Sequence, residues 1–416
     1  MPAHDPHSSI YSSTWGSFPT SPTNQPNSIQ ESMEKHQLFL MNLPTHIMLE
    51  ILTRLPPKTI FICKRVCKAW LELINDPHFA TLHFSRCRAG LVVHHSEMFK
   101  KYFKLVDFED AYDHHDLPHD TMLKFNVNKL SSFFDANIVV DGSANGFLFM
   151  RDINYKHETL YICNPLTREY IELPKPRRIA RYPSVVTHGF GVASKSGEYK
   201  VVRIFHEREL DPRTRACRRV PSSECQVYTL GTGAWRTVGE APFSYNSRLL
   251  GLSFRGNLHW LIEDLEGYEL ISCFNLETEM FQPFPPPFPS RKLLGSLAVL
   301  GDCLCLCDNS SEFDIDIWVM KEYGVEKSWA KEIVIRKIPE LAGPSFEIVQ
   351  AIKIFTDGTI LLLWGDFFML YYCSKTGTAK EVDLEQPSGP NSIEAIHYVP
   401  SFFSLKRFLL ENMSPF

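Results

Sequence analysis

Along residues 43–84 apolar positions recur at helical spacing. Ile47, Ile51 and Leu55 fall at i, i+4 and i+8, and Met48 and Leu52 add an adjacent stripe. That pattern predicts a helix with a broad apolar face. Pro44 suits its first turn, and Pro56-Pro57 stops it. Thr59 is placed to cap a short second helix through Ile60, Phe61, Ile62 and Cys63. A third carries Val66, Trp70 and Leu73-Ile74 on one face. Asn75-Asp76-Pro77 is a turn, and Phe79 and Leu82 follow on a last helical turn. From about residue 88 the helical period largely vanishes. Short runs of β-branched and aromatic residues then alternate with turn residues.

A repeat runs through this second region. Each copy has a tight turn, an apolar strand, a second strand, a polar turn and a third strand. Copies begin at Gly146-Phe147-Leu148, Tyr199-Lys200-Val201, Gly256-Asn257-Leu258, Cys303-Leu304-Cys305 and Gly358-Thr359-Ile360. Their polar turns lie near residues 164, 231, 275, 321 and 375, which are 44–67 residues apart. That spacing brackets the roughly 40–50 residues of a propeller blade with inserted loops. A sheet this short cannot bury both faces alone, but copies stacked around an axis can. Strands in Leu91–His95, Tyr102–Phe108 and Ala395–Val399 could complete or close the ring. A β-sandwich or irregular sheet stack is the competing architecture.

Composition adds bounds. The chain has 416 residues, 44% hydrophobic, 12% aromatic and 22% charged, enough for about two to three domains. Its 30 Phe and 28 Pro favour short strands over long helices. Net charge is −5, which argues against a general polyanion binder and leaves room for a local basic patch. No nucleic-acid partner is expected. The first Lys or Arg is Lys35, so residues 1–34 lack the basic region of a secretory signal and the Arg of a transit peptide. Rich in Ser, Pro, Asn and His, they read as a disordered tail. The closest approach to a membrane span, Thr359–Cys373, is short and interrupted by Gly365-Asp366, so no membrane partner is expected. The 11 cysteines form no CxxC pair and read as reduced thiols of a cytoplasmic or nuclear protein.

The helical unit spans about 40 residues and has no metal motif. Units of that size rarely stabilise themselves. It nevertheless carries Leu43, Ile51, Leu55, Ile60, Val66 and Trp70 on more than one helix face. Either another protein's helices cover part of that surface, or it packs on the rest of this chain. The stretches Leu43-Pro44-Thr45-His46-Ile47 through Leu55-Pro56-Pro57-Lys58, and Cys63-Lys64-Arg65-Val66-Cys67-Lys68-Ala69-Trp70 with Asp76-Pro77-His78-Phe79, resemble an F-box in order and spacing. The resemblance implies a SKP-type adaptor as partner and, through it, the cullin and RING subunits of a ubiquitin ligase. The adaptor contacts it implies are Leu43, Pro44, Ile51, Leu55, Val66 and Trp70. His46 and Ile62 depart from the usual pattern, where an acid and a base are common; both lie outside those contacts.

The remainder resembles the F-box-associated domain of a large plant family. Gly142-Ser143-Ala144-Asn145-Gly146, Asn164-Pro165-Leu166-Thr167-Arg168, His188-Gly189-Phe190-Gly191, Tyr199-Lys200-Val201-Val202, Gly256-Asn257-Leu258-His259-Trp260 and Ile317-Trp318-Val319-Met320-Lys321-Glu322-Tyr323-Gly324 carry it in order. Ala144 replaces a commoner Cys, and Val192 a commoner aromatic. Kelch signatures are absent.

Other clusters have plain readings. Asp113-His114-His115-Asp116 with His119-Asp120 reads as a solvated loop, its spacing fitting no closed metal site. Cys63 and Cys67, at i and i+4, read as packing residues. Cys303, Cys305 and Cys307 would share one face of a strand and likewise read as core. Arg203, Arg208, Arg213, Arg215, Arg218 and Arg219 concentrate positive charge, diluted by Glu207, Glu209 and Asp211. They read as a solvated loop; the functional alternative is a patch for an acidic or phosphorylated target, carried by Arg208, Arg213, Arg215, Arg218 and Arg219. Pro283–Pro289 reads as an extended inter-blade connector. No phosphate-cradling loop, GxSxG, HExxH or catalytic triad is present.

The fold predicted is α+β by segment: a disordered tail at 1–38, a small three-helix F-box at 39–86, and an all-β, propeller-like substrate-binding domain at 88–410. The function expected is the non-catalytic substrate-recognition subunit of an SCF-type ubiquitin ligase, without cofactor or metal. The rivals are a scaffold using the helices for another partner, and a propeller enzyme. The target is not legible.

Overall fold

The computed structural model describes residues 43–96, 101–107, 120–126, 138–153, 158–176, 184–207, 209–210, 217–219, 223–242, 250–263, 269–288, 295–338, 348–365, 367–382, 393–408 and 413–415. Two compact units meet at Ile51/Leu52. The expected tail at 1–38 lies outside the described residues.

The first unit contributes most of helix α1 (Thr45–Leu52). The Pro44 carbonyl accepts the N–H groups of Ile47 and Met48 at 2.9 and 3.1 Å.

In the second unit, α2 (Pro57–Cys63) follows at once, because Pro57 sits in the first turn where its missing N–H costs nothing. Thr59 is therefore inside α2 and does not cap it. Val66 lies in the turn before α3 (Lys68–Asn75) rather than on that helix. Asp76 accepts the His78 N–H at 2.7 Å and caps α4 (Pro77–Arg86). The last helical turn read from Phe79 and Leu82 is thus a full helix of 10 residues, the fourth of the segment. The buried residues of α2–α4 are Pro57, Ile60, Cys63, Ile74, Phe79, Ala80 and His83.

The β-region is a propeller of six antiparallel four-stranded blades among the described residues. Blade 1 holds Gly90–Ser96, Lys101–Asp107 and Asp120–Asn126, and the late strand Ile393–Tyr398 completes it by pairing with Gly90–Ser96. An early and a late strand thereby close the ring, as the three unassigned apolar runs suggested. Blade 2 holds Ile138–Ala144, Phe147–Ile153, Glu158–Asn164 and Glu169–Glu172, with Met413–Pro415 added at its edge. Blade 3 holds Ser184–Val192, Tyr199–Glu207, Ser223–Thr229 and Trp235–Glu240. Blade 4 holds Leu250–Phe254, Asn257–Glu263, Glu269–Asn275 and Met280–Phe284. Blade 5 holds Gly295–Leu300, Cys303–Asp308, Asp314–Met320 and Trp329–Arg336. Blade 6 holds Val349–Ile354, Thr359–Trp364, Phe368–Cys373 and Thr378–Glu381.

The repeat legible in the sequence lacked the first strand of each blade. In blades 2 and 4 that strand joins the second through Asn145-Gly146 and Arg255-Gly256, which have positive φ at both residues, the signature of a two-residue I′ hairpin.

The core lies between blades. Five buried apolar clusters each join neighbouring blades. In blade 5, Cys305 and Cys307 face the cluster shared with blade 6, while Leu304 and Leu306 face the one shared with blade 4. The strand's two-residue period thus feeds two cores, and the thiol row packs as read. Blades 3 and 4 are also joined through their inner strands, where His188 and Gly189 pair in parallel with Leu250 and Gly251. A Cβ added at Gly251 would lie 2.7–2.8 Å from the Trp260 indole, so only glycine lets that ring fit.

Because every blade is an antiparallel meander, its turns sort to two ends. The hairpin joining first and second strands shares one end with the polar turn. The loops after second strands and the connections between blades share the other. Gly90, which follows α4, pairs with Tyr398 at the hairpin end.

Candidate docking surfaces

The residues of α2–α4 bury one side and expose the other. Phe402 sits against Phe61, Phe79 and His83, with ring centroids 5.7, 5.9 and 5.0 Å away, and Phe84 meets Phe403 at 5.4 Å. His83 donates from Nε2 to the Leu55 carbonyl at 3.1 Å, and burial lowers its pKa, keeping it neutral. The segment bearing Phe402 and Phe403 is anchored to blade 2. Asn164 donates to the Ser401 and Phe403 carbonyls at 3.0 and 2.7 Å, and Ser401 donates to the Asn145 carbonyl at 3.0 Å. Residues 401–408 escaped sequence reasoning because they belong to no repeat copy.

The opposite side is apolar and open. Ile62 is 65% exposed, Val66 49% and Leu71 39%. Of the six expected contacts, Pro44, Ile51 and Val66 are exposed, while Leu43, Leu55 and Trp70 are half-buried. The Trp70 indole nitrogen is buried and has no hydrogen-bond partner among the described residues. Ile62 and Leu71, outside the expected set, belong to the exposed surface. An apolar residue at a position where a base is common was the available signal for Ile62.

The other end of the propeller carries the arginine-rich insertion. Arg208, Arg213 and Arg215 lie outside the described residues. Arg218 and Arg219 fall in a short strand, Cys217–Arg219, that pairs with Glu209–Leu210; their side chains lie outside the description. Arg203 does not belong to an exposed patch: it is buried, donates to Gln226 at 3.1 Å and lies 3.7 Å from Glu158. Glu158 also meets Arg151 at 3.6 Å, and Arg151 pairs with buried Asp141. Burial, then the charges of Arg151 and Arg203, holds His188 well below its usual pKa. These groups form one ionic cluster across blades 2 and 3. The Asp113–Asp120 cluster read as a solvated loop lies outside the described residues, apart from the backbone of Asp120.

Comparison with known families decides what this architecture is. The F-box associated beta propeller domain matches residues 93–405, and the F-box domain matches residues 40–82. The chain belongs to the F-box-associated β-propeller family. Among its relatives, F-box protein At3g07870 of Arabidopsis thaliana is 27% identical over 375 residues, covering 82% of this chain and 88% of that protein. F-box protein CPR1 of the same plant is 28% identical over 326 residues, covering 72% and 74%. F-box/kelch-repeat protein At3g23880, also from Arabidopsis thaliana, is 24% identical over 363 residues, covering 80% and 88%.

The motifs of this F-box-associated propeller are its joints. Asn164 and Asn275 occupy one position of the polar turn in blades 2 and 4. Asn275 Oδ1 accepts the Glu277 and Thr278 N–H groups at 2.9 and 2.8 Å, as Asn164 Oδ1 accepts those of Leu166 and Thr167 at 2.9 and 3.4 Å. An Asx side chain that closes its own turn explains the residue type. Cys373 replaces Asn in blade 6; hydrogen bonds from Thr376 and Lys375 lower its pKa.

Proposed function

We propose that this chain is the substrate-recognition subunit of an SCF-type cullin–RING ubiquitin ligase, acting in the cytoplasm or nucleus. Its F-box residues bind a SKP-type adaptor, which links to cullin and RING subunits, and its propeller recruits a target protein for ubiquitination. The chain makes and breaks no bond. It raises the effective concentration of a target lysine at the ubiquitin-charged enzyme.

The observation that carries this reading is the apolar face left open by α2 and α3, in a segment matching the F-box domain. Large apolar groups grouped on one surface and rimmed by charge mark a protein-binding site. Trp70 in the same segment is half-buried, and aromatic anchors carry much of an interface's energy. The contacts proposed are Leu43, Pro44, Ile51, Leu55, Val66 and Trp70. The propeller end opposite the α4 junction, with the inter-blade connections and the Arg208–Arg219 insertion, is the face proposed for the target.

Co-precipitation of the full chain with a SKP-type adaptor tests this. Val66→Asp and Leu55→Asp should abolish capture while the propeller stays folded by circular dichroism. Retention of the adaptor at wild-type level by both would overturn the assignment.

A further inference from the structure

A cleft of about 520 Å³ opens between the α2–α3 segment and the polar turn of blade 2. Lys64, Arg168 and Lys406 line it, with Glu169 as its one carboxylate and Phe61 and Phe402 as its apolar wall. Glu169 is already engaged. It accepts the Thr167 hydroxyl at 3.1 Å, the Ser404 hydroxyl at 3.0 Å and the Leu405 N–H at 2.8 Å. Lys64 lies 5.1 Å over the Phe402 ring, which fixes its ammonium by a cation–π contact. Among the described residues, Lys64, Arg168 and Lys406 form no ion pair. The charge of Glu169 also acts on Lys64, raising a pKa that burial lowers, so the cleft holds three cations against one carboxylate.

Comparison of the polar turns singles out Arg168. Its φ is 58°, and the same turn position holds Glu279 at 57° in blade 4 and Gly377 at 67° in blade 6. Each N–H bonds the carbonyl four residues back, at 2.9, 2.7 and 2.9 Å. Glycine fits this left-handed backbone without steric cost. Glu279 offsets that cost, because its carboxylate meets Lys200 at 2.9 Å and pairs with Arg236. Arg168 bears the same cost with no side-chain partner among the described residues, and it lines the cleft.

We propose that this cleft binds a small soluble anion carrying two or more phosphate groups. Arg168 offers a bidentate fork and the two lysines act as point charges, the arrangement suited to phosphate. The volume falls within the roughly 300–1,000 Å³ of small-molecule sites. The ligand would tie α2 and α3 to blade 2 and to the 402–406 segment, strengthening that junction.

The test is calorimetric titration of the full chain at fixed ionic strength with inorganic tripolyphosphate, and with citrate as a trianion lacking phosphate. Tripolyphosphate should bind saturably and raise the melting temperature, with citrate much weaker. Arg168→Gly and Lys406→Ala should each weaken binding about tenfold, the loss of one charge-assisted contact. Arg168→Gly should do so while the unliganded protein melts at the same or a higher temperature. Absence of saturable binding, wild-type affinity in both variants, or equal affinity for citrate would overturn the proposal. So would an Arg168→Gly protein that melts lower yet binds normally, since Arg168 would then be structural only.

Discussion

Tyr323 donates its hydroxyl to Nε2 of His259 at 2.7 Å. The direction is fixed by the rest of the ring. Nδ1 lies 3.3 Å from the Leu252 carbonyl, which only accepts, so the proton is on Nδ1 and Nε2 must accept. Asn257 completes the chain by donating to the Tyr323 oxygen at 3.0 Å. His259 belongs to blade 4 and Tyr323 to the polar turn of blade 5, so two motifs 64 residues apart form one inter-blade latch.

Tyr323→Phe keeps the ring but leaves His259 Nε2 buried without a donor. An orphaned buried acceptor costs about 1–3 kcal/mol. Urea unfolding should show a loss of that size, and an unchanged midpoint would refute the latch.

Acid should weaken the propeller through the same histidine. Burial lowers the His259 pKa to about 4, against an ordinary 6.5. The unfolded chain therefore takes up a proton that the folded one refuses. Its contribution is fully present above about pH 6.5 and is lost progressively as pH falls from 6.5 toward 4, at up to about 1.4 kcal/mol per pH unit. His259→Gln should flatten the slope of stability between pH 6.5 and 4.5. An equal slope in both proteins would exclude His259 as its source.

Phe402→Ala should loosen the helices from the propeller. The ring is buried among Phe61, Phe79 and His83, and truncating such a residue costs about 3–5 kcal/mol. Limited proteolysis should cut near residues 87–89 far faster than in wild type, ahead of any cleavage within the blades. Wild-type protection would show that Phe402 does not hold the joint.

Trp70 separates apolar packing from hydrogen bonding on the side proposed for the adaptor. Trp70→Phe keeps an aromatic ring and removes only a buried N–H that a docking partner does not reach, so adaptor binding should stay close to wild type. Trp70→Ala should cost about 2 kcal/mol or more. Surface plasmon resonance with the adaptor measures both, and a loss in Trp70→Phe as large as that in Trp70→Ala would mean that ring packing is not what Trp70 contributes.

Gly251→Ala should be poorly tolerated despite its small change in volume, because the new Cβ would meet the Trp260 indole at 2.7–2.8 Å. Overpacking of this kind costs about 1–3 kcal/mol. A melting temperature equal to wild type would show that Trp260 can yield.

Local pattern carried the architecture a long way. Apolar spacing located the helices, and the polar turns located five blades, because period and turn chemistry are properties of neighbouring residues. Innermost strands such as Ile138–Ala144 and Val349–Ile354 were not assigned to the repeat. Their burial comes from neighbouring blades, so their sequences carry little period of their own. The resemblance to an F-box named the candidate adaptor contacts, yet which apolar groups stay exposed was not legible. Ile60 and Ile62 are the same residue type two positions apart, and only the tertiary packing of α2 buries one and exposes the other.

By itself the chain's sequence determined a helical segment, a repeated β-unit and the turns that punctuate it, since each arises from interactions within a few residues. Tertiary structure alone decided how Ile393–Tyr398 closes the ring, how His259 meets Tyr323, and that Arg168, Lys64 and Lys406 face one cleft. Those relationships join residues tens to hundreds of positions apart, and no local preference encodes which distant partner a side chain will meet.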